Sequence, residues 1–254
     1  MTTATATATR TRSVARPQTA APDRFDIYRP IHKALRSFMG DTLLRVGRLD
    51  VEDRDDWART FGQLDALLTM CVHHIRHEDD FLHSAIGARQ PAGAGRTMDD
   101  HAEHLACIDG LRGEMRSLQS AAAVQRPRLA LRLYRHLALF IAENFQHMHI
   151  EESVDNALLW SLYSDEELVG LQQRLHASIA PAEHLDVLRW LIPALNPAER
   201  AGVLGAMRVA MPAEAFIGVV ETIRPHLDAN DWAKLRRAIG PAAIEAVPLV
   251  GAFG

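Results

Sequence analysis

Apolar residues recur every three or four positions from residue 26 to about residue 163, which is the spacing of one face of an amphipathic helix. The pattern predicts four long helices, over residues 26–48, 51–87, 97–120 and about 127–163. No stretch shows the strict alternation of a strand, and Pro and Gly separate the second helix from the third. Four amphipathic helices with short connections favour an all-α fold, arranged as an up-down-up-down four-helix bundle.

Beyond residue 180 the helical pattern becomes shorter and carries clear start signals. Asn196 and Asp228 are candidate N-caps, and Glu199 and Asp231 stand three positions after them. Such pairs can satisfy the free amides of a helix N-terminus. We therefore expect a smaller C-terminal set of short helices, whose apolar faces must pack on something. Self-association or docking of a protein partner is one role that these faces suggest.

The two ends of the chain differ in composition from the rest. The first 22 residues are of low complexity, with three arginines and no acid. This is the composition of an organellar transit peptide, but we favour a disordered tail. The closing PLVGAFG also indicates a tail. The predicted organisation is a disordered tail over residues 1–22, a bundle over 23–165 and a C-terminal helical region over 180–246.

Composition excludes several classes of function. With 254 residues, 48% of them hydrophobic, the chain can bury a sizeable core. A net charge of −4 gives no reason to expect a nucleic-acid partner. Cys71 and Cys107 alone cannot build a disulfide framework or a paired-cysteine zinc site. No apolar run reaches the roughly 18 residues of a membrane span, and no secretory signal is evident, so we expect a cytoplasmic protein that does not bind membranes.

Histidines are concentrated in the predicted bundle. Ten of the 13 lie between His32 and His149, and every predicted helix has at least one on its inward face. Two helices carry a His-x-x-x-Glu pair, His74 with Glu78 and His147 with Glu151, and residues four apart project side by side. Buried imidazoles and carboxylates are costly unless they are paired or bound to metal. The pattern therefore predicts donors that converge in the bundle core.

The donor types indicate which metal such a centre would take. Four histidines and two glutamates are too many for a single tetrahedral zinc. Carboxylates that bridge two cations, together with imidazoles, favour iron or manganese. We therefore expect two metal ions that share the carboxylates.

Four segments of the chain resemble those of a known family. The segments PIHKALR, HHIRHEDDFLH, DDHAEH and HMHIEE are similar to the successive helix motifs of hemerythrin-like (HHE cation-binding) domains. The resemblance implies a four-helix bundle that holds two iron ions, bridged by carboxylate and by an oxo or hydroxo group, with manganese or zinc less expected. By the same resemblance, the ligands are His32, His74, Glu78, His104, His147 and Glu151.

The third helix departs from the invertebrate oxygen carriers of that family. Those proteins have His-x-x-x-His there, whereas Ile108 stands four positions after His104. A further ligand could be His101 or His77. We prefer His104 to His101 because it is in register with Ile108 and Leu111, while His101 lies at the edge of that face.

Other residues near these motifs receive simpler interpretations. His73, His83 and His149 fall on the flanks of their helices and are interpreted as solvated or as supporting a ligand. His136 is three turns from His147 and too far to join the cluster. Cys71 and Tyr28 are interpreted as packing residues, although the Tyr28 hydroxyl could hydrogen-bond near the metals.

The family resemblance leaves the function open among three classes. The leading hypothesis is a di-iron protein that binds or senses dioxygen, nitric oxide or iron itself. Fewer imidazoles than in the oxygen carriers should favour the ferric state, which argues against simple reversible oxygen carriage. One alternative is a di-iron protein that acts in repair of oxidative or nitrosative damage, by iron donation or redox turnover. The other is a metal-free helical interaction module.

Overall fold

The computed structural model of the chain describes residues 24–240. Within that range every regular element is helical and none is a strand, so the all-α prediction is confirmed. No helix among these residues has the length and apolar character needed to cross a membrane. The predicted tail over residues 1–22 and the closing PLVGAFG lie outside the described residues. The last part of the predicted 180–246 region, residues 241–246, also lies outside them.

The first part of the chain contains the predicted long helices, two of them with an interruption. Its elements are α1 (Arg29–Gly47), α2 (Arg54–His77), a first π segment (Glu78–His83), α3 (Ser84–Arg89), α4 (Gly95–Ser120), a 3-10 turn (Ala123–Gln125), α5 (Arg126–Ile150), a second π segment (Glu151–Asp155) and α6 (Asn156–Leu162). The helices predicted over 51–87 and 127–163 therefore continue through a π segment, which the periodicity did not reveal.

Packing of four long helices builds the bundle core. Helix α1 packs against α2 and α5, and α4 packs against the same two helices. The apolar stripes meet between them, and each leucine fully buried there contributes about 2 kcal/mol to stability. The core includes Leu35, Phe38, Leu64, Leu68, Ile108, Leu111, Leu137 and Phe140. These contacts form a four-helix arrangement, and the up-down-up-down order of the helices stays a prediction.

The second part of the chain is a set of shorter helices. They are α7 (Asp165–Ser178), α8 (Pro181–Ala194), α9 (Pro197–Ala210), α10 (Ala213–Ile223), a 3-10 turn (Arg224–His226) and α11 (Ala229–Ile239). The predicted caps of two helices are confirmed. Asn196 accepts from the Glu199 amide while the Glu199 carboxylate accepts from the Asn196 amide, and Asp228 accepts from the Asp231 amide. Helices α8 to α11 bury a core of their own around Ile192, Leu204, Phe216, Val220 and Leu235. The buried leucines of α7, Leu168 and Leu171, pack instead with residues of the first part of the chain.

Helix α8 joins the C-terminal helices to the bundle. The Trp190 ring stacks on the Phe38 ring of α1, with centroids 3.9 Å apart and planes 11° apart. Lys33, also on α1, pairs with Glu199 of α9 at 2.6 Å. Part of the surface of the C-terminal helices therefore packs against the bundle of the same chain.

A buried arginine, Arg200 of α9, connects α8, α9 and α11 through hydrogen bonds. Arg200 is only 2% exposed. Its guanidinium donates to the carbonyl of Ile192 at 2.9 Å, to that of Leu195 at 3.0 Å, and to Asp231 of α11 at 3.0 Å. The carbonyls at the end of α8 are among those that a helix C-terminus leaves without an intrahelical partner. Arg200 therefore satisfies them from α9.

Candidate metal centre

The two π segments begin at the two glutamates of the His-x-x-x-Glu pairs, Glu78 and Glu151. A π segment is a widened helical turn and is found frequently at functional sites. The last residue of each segment, His83 in the first and Asp155 in the second, is buried beside the glutamates. The wider turn of each π segment thus directs one additional donor, His83 or Asp155, toward the centre of the bundle.

One group of donors joins α1 and α2 to both glutamates. The Nε2 atom of His32 lies 3.4 Å from Glu78 Oε1 and 3.4 Å from Glu151 Oε2. His74 Nε2 lies 3.3 Å from Glu78 Oε2. One atom from each of these four residues can be chosen so that all lie within 4.8 Å of one another. This arrangement could hold one cation.

A second group joins α4 and α5 to the same two glutamates. His101 Nε2 lies 3.4 Å from Glu78 Oε2 and 3.6 Å from Glu151 Oε1, and His147 Nε2 lies 3.1 Å from Glu151 Oε1. These four residues also offer atoms within 4.8 Å of one another. Because Glu78 and Glu151 belong to both groups, the carboxylates lie between two sets of imidazoles.

His83 extends the second group. Its Nε2 atom is 4.0 Å from Glu151 Oε1 and 4.0 Å from Asp155 Oδ2, and its ring stacks on that of His101 with centroids 4.9 Å apart. Asp155 is held by the Thr97 hydroxyl, which donates to it at 2.9 Å. Three histidines therefore surround one side of the glutamate pair, against two on the other side.

The buried donor atoms of this cluster lack hydrogen-bond partners among the described residues. Such orphaned polar groups are rare and costly in protein interiors. The unpartnered atoms are His32 Nε2, His74 Nε2, Glu78 Oε1 and Oε2, His83 Nε2, His101 Nε2, His147 Nε2, and Glu151 Oε1 and Oε2. A cation among them would supply the missing interactions, so the residues present fit a metal site.

Outer carboxylates orient several of these imidazoles. The Nδ1 atom of His32 lies 3.0 Å from Glu152, and Asp79 lies 2.9 Å from His83 Nδ1 and 2.8 Å from His101 Nδ1. A carboxylate at Nδ1 favours the tautomer with its proton there, which leaves the Nε2 lone pair free for a metal. Each of these rings presents Nε2 to the glutamates.

The acids also raise the affinity of two imidazoles for protons. Burial by itself would lower the pKa of His32, but Glu152 and Glu78 outweigh it and raise that pKa to about 9. Burial is likewise outweighed at His101, where Glu151 and Glu78 raise the pKa to about 11. Without a cation, protons on these two rings balance the buried carboxylates.

Two other imidazoles are held neutral. Burial lowers the pKa of His74 to about 4, and burial together with the neighbouring His147 and His101 lowers that of His104 to about 4. A neutral imidazole is the form that binds metal. The centre therefore contains both neutral and protonated rings before a cation enters.

The histidines of α4 are both buried, so the edge position predicted for His101 is wrong. His101, expected at the edge of the face, is only 2% exposed and contacts both glutamates. His104 is buried as expected, but it packs against the rings of His147 and Phe140 and belongs to none of the donor groups. The geometry therefore favours His101 over His104 as a ligand. The remaining candidate, His77, faces Glu183 of α8 at 3.7 Å instead of the glutamates.

The interpretation of His83 as a solvated flank residue is wrong, because His83 is 3% exposed with Nε2 pointing at the donor cluster. The other interpretation, that His83 supports a ligand, stays a prediction. The π segment before it changes the helix phase, and regular periodicity carries no signal of that change. Tyr28 is fully buried 5.3 Å from the His32 ring, and its hydroxyl has no partner among the described residues. It packs as expected, and it also brings a polar atom to the centre.

Comparison with known proteins agrees with this centre. The family model described as the hemerythrin HHE cation-binding domain matches residues 23–159, more than half of the chain. The chain belongs to the hemerythrin HHE cation-binding domain family. No curated protein matches the chain, and no solved structure matches it either. The family match covers the whole donor cluster and ends before α7, so it includes none of the C-terminal helices.

Proposed function

We propose that the bundle binds two iron ions that Glu78 and Glu151 bridge. The observation that carries this proposal is that two groups of donors share both glutamates. A carboxylate has two oxygens and can serve two cations, whereas an imidazole serves one. Mixed imidazole and carboxylate donors suit iron, and they are too numerous for one tetrahedral zinc.

The two ions would have unequal sets of histidines. His32 and His74 would hold one ion, and His101 and His147, with His83 beside them, would hold the other. The ion held by two histidines would have fewer protein donors and therefore more room for an external ligand. This inequality supports a site that takes up a small molecule at one ion.

We infer that this small molecule is dioxygen or nitric oxide, which the protein binds in order to sense or buffer it. Iron supplies the redox chemistry and the open coordination position that such ligands need. The chain supplies a buried centre, imidazoles fixed by Asp79 and Glu152, and the hydroxyl of Tyr28, which has no partner among the described residues. Such outer groups tune how tightly a metal holds its ligand.

Metal analysis and gas titration test this proposal. Protein purified without oxygen should contain two irons per chain and, after reduction, should bind about one equivalent of nitric oxide or dioxygen per pair of ions and then stop. The optical spectrum should change in proportion to the gas added. A matched sample reconstituted with zinc should bind neither gas.

Two results would contradict the proposal in different ways. Sustained consumption of nitric oxide or peroxide by catalytic amounts of protein, with an electron donor present, would assign the centre to turnover in damage repair. Protein that contains no metal and takes up none on reconstitution would indicate an interaction module, and the unpartnered donors would then need another explanation.

A further inference from the structure

A second cluster of reactive groups lies between α4 and α5, outside the metal centre. The Cys107 sulfur on α4 is 3.2 Å from His136 Nε2 on α5. The other ring nitrogen of His136, Nδ1, is 3.4 Å from a Glu114 oxygen on α4. The three side chains thus form a line from thiol to imidazole to carboxylate.

The contact with Glu114 determines which ring nitrogen of His136 carries the proton. The Glu114 carboxylate can only accept a hydrogen bond, so it favours the tautomer of His136 with its proton on Nδ1. Nε2 is then left with a lone pair that can accept the proton of the Cys107 thiol. This is the arrangement of a nucleophile, a general base and a group that orients the base.

The local backbone is shaped for these contacts. Cys107, Gly110 and Glu114 stand at positions i, i+3 and i+7 of α4 and therefore share one face. A Cβ added to Gly110 would lie 3.2 Å from the His136 ring carbon Cε1. Glycine in a helix interior costs about 1 kcal/mol relative to alanine. Here the absence of a side chain gives the His136 ring its room beside Cys107.

One oxygen of the Glu114 carboxylate, Oε1, makes the ion-pair contacts of this side chain. Arg132 Nε lies 3.3 Å from the same oxygen that faces His136. The other oxygen, Oε2, is buried without a hydrogen-bond partner among the described residues. The negative charge is therefore directed at His136 and Arg132.

The two cysteines of the chain differ in access. Cys71 is 2% exposed within the bundle core. Cys107 is only partly buried, and its partner His136 has 32% of its side chain exposed. Small reagents can therefore approach the Cys107 sulfur from solvent, and Cys71 provides an internal reference that they cannot reach.

We propose that Cys107 is a site of covalent modification, a thiol that His136 and Glu114 activate for attack on small electrophiles, with hydroperoxides as the oxidant class. The proposal is independent of whether the metal centre holds iron.

Oxidation of the Cys107 thiol by a hydroperoxide would transfer two electrons from sulfur to the peroxide. As the Cys107 sulfur attacks one peroxide oxygen, its proton passes to His136 Nε2, a sulfur–oxygen bond forms and the oxygen–oxygen bond breaks. The leaving oxygen takes the proton from His136 and departs as water or an alcohol. Sulfur loses two electrons and becomes a sulfenic acid, and the peroxide gains them.

The environment of the thiol makes the base necessary. Burial, together with the charges of Glu143 and Glu114, raises the pKa of Cys107 above its ordinary value. The thiolate is the reactive form, and it is therefore scarce at neutral pH. Reaction at neutral pH then depends on transfer of the proton to His136 during the attack.

Pulse labelling of the full-length protein tests the proposal. Iodoacetamide alkylates sulfur without redox chemistry, so iron cannot contribute, and peptide mass spectrometry reports Cys107 and Cys71 separately. Cys107 should react at pH 7, and Cys71 should not. General-base catalysis typically contributes about 100-fold or more, so His136→Gln should slow Cys107 by at least about tenfold. Hydrogen peroxide with dimedone as the trap should give the same ranking.

Two further variants separate activation from structure. Glu114→Gln keeps the shape of the side chain and removes its charge, so it should slow Cys107 by a smaller factor. His226→Gln removes an exposed histidine far along the chain and should change nothing. In the wild type the rate at pH 6–8 should exceed that of His136→Gln, and the two should converge at high pH where the thiol ionises unaided.

Unchanged labelling of Cys107 in His136→Gln would overturn the proposal, and so would unchanged labelling in Glu114→Gln if His136→Gln does not fold. So would a wild-type rate no greater than that of glutathione at the same thiolate fraction. Circular dichroism of each variant shows whether it keeps its helices. If one variant unfolds, the other still decides.

Discussion

The bundle and the C-terminal helices both bury charged side chains, but they satisfy them in opposite ways. In the bundle, Glu78 and Glu151 are buried with all four carboxylate oxygens unpartnered among the described residues. Among the C-terminal helices, the buried Arg200 donates through Nε and Nη2 to carbonyls and to Asp231. The donors of the bundle fit a cation from outside the chain, whereas the chain itself supplies partners for two of the three guanidinium nitrogens of Arg200, and only Nη1 is buried without a partner among the described residues.

The difference separates a binding site from a structural connection. Buried charges without partners are costly, and a group that satisfies them stabilises the folded state as it binds. We therefore expect stability of the bundle to depend on metal. Stability of the C-terminal helices should depend on Arg200 instead. The following predictions test that division, from the largest expected effect to the smallest.

Removal of a shared carboxylate should abolish binding of both ions. Even an outer partner of a metal ligand changes affinity by about 10–100-fold, so Glu151→Ala should cost more than about 100-fold. Metal analysis of the purified variant is the measurement. Glu143→Ala, an exposed change on the same helix, is the matched control and should keep full metal. A Glu151→Ala protein with wild-type occupancy and spectrum would remove the basis for a bridging role.

Loss of Arg200 should destabilise the C-terminal helices and leave the metal in place. Arg200→Ala deprives the carbonyls of Ile192 and Leu195 of their donor, and each unsatisfied group costs about 1–3 kcal/mol. We expect a loss of about 2–4 kcal/mol in the free energy of unfolding, measured with urea. Arg237→Ala, on the exposed face of α11, should change it by less than about 0.5 kcal/mol.

The same variant tests the boundary near residue 180. Arg200→Ala protein with normal metal content would support two separately stabilised regions. Loss of metal in that variant would mean that the two regions unfold together through the contact of Trp190 with Phe38. The bundle and the C-terminal helices would then not be stabilised separately.

Single histidine changes on α4 sharpen the description of the centre. His101 approaches both glutamates, while His104 packs on neighbouring rings. His101→Ala should weaken metal binding by about 100-fold, and His104→Ala by less than about tenfold. Metal content after dialysis against a graded chelator measures both. The reverse ranking would restore the assignment that the helix register predicts.

Metal uptake should release protons. His32 and His101 have folded-state pKa values of about 9 and 11, above the ordinary value of 6.5, so both rings are protonated at pH 7 without metal. Both must lose the proton to bind a cation, and burial is also outweighed at His147, where Glu151 raises the pKa. Uptake at pH 7 should therefore release at least about two protons, and affinity should rise with pH. Calorimetry in two buffers of different ionisation enthalpy measures this number. Identical heats in both buffers would contradict it.

The same shifts act on the metal-free protein in the opposite direction. A raised folded-state pKa stabilises the fold below the unfolded value of 6.5, and that contribution disappears as pH rises through about 9 for His32 and about 11 for His101. The metal-free protein should therefore lose stability toward alkaline pH. Thermal unfolding measured between pH 6 and pH 10 provides the check.

Regular periodicity was enough to predict the bundle and much of its centre. The pairs His74 with Glu78 and His147 with Glu151 lie within regular helix up to the glutamate, so spacing alone placed them side by side. His32 followed from the stripe of α1. Caps at Asn196 and Asp228 were predictable because a cap acts on amides two or three residues away.

Other features depended on information that periodicity lacks. The π segment shifts the phase after Glu78, so His83 was assigned to a flank. On α4, His101 and His104 are both buried, and a three-residue spacing cannot say which ring reaches the glutamates. Arg200 reads as an ordinary surface residue in the sequence. Its burial results from the meeting of α8, α9 and α11, which are set by packing.

Each π segment corresponds to one residue more than a regular helix would need over the same stretch. A deletion in regular helix rotates everything beyond it by roughly 100° and shortens the helix by about 1.5 Å. Removal of one residue inside a π segment would instead restore regular helix there, so residues beyond it, such as the buried Ile86, would keep their neighbours. Length changes are commonly tolerated in surface loops. In this chain, a one-residue length difference can also be absorbed inside two helices, at residues 78–83 and 151–155, and sequences of different length should be aligned with that in view.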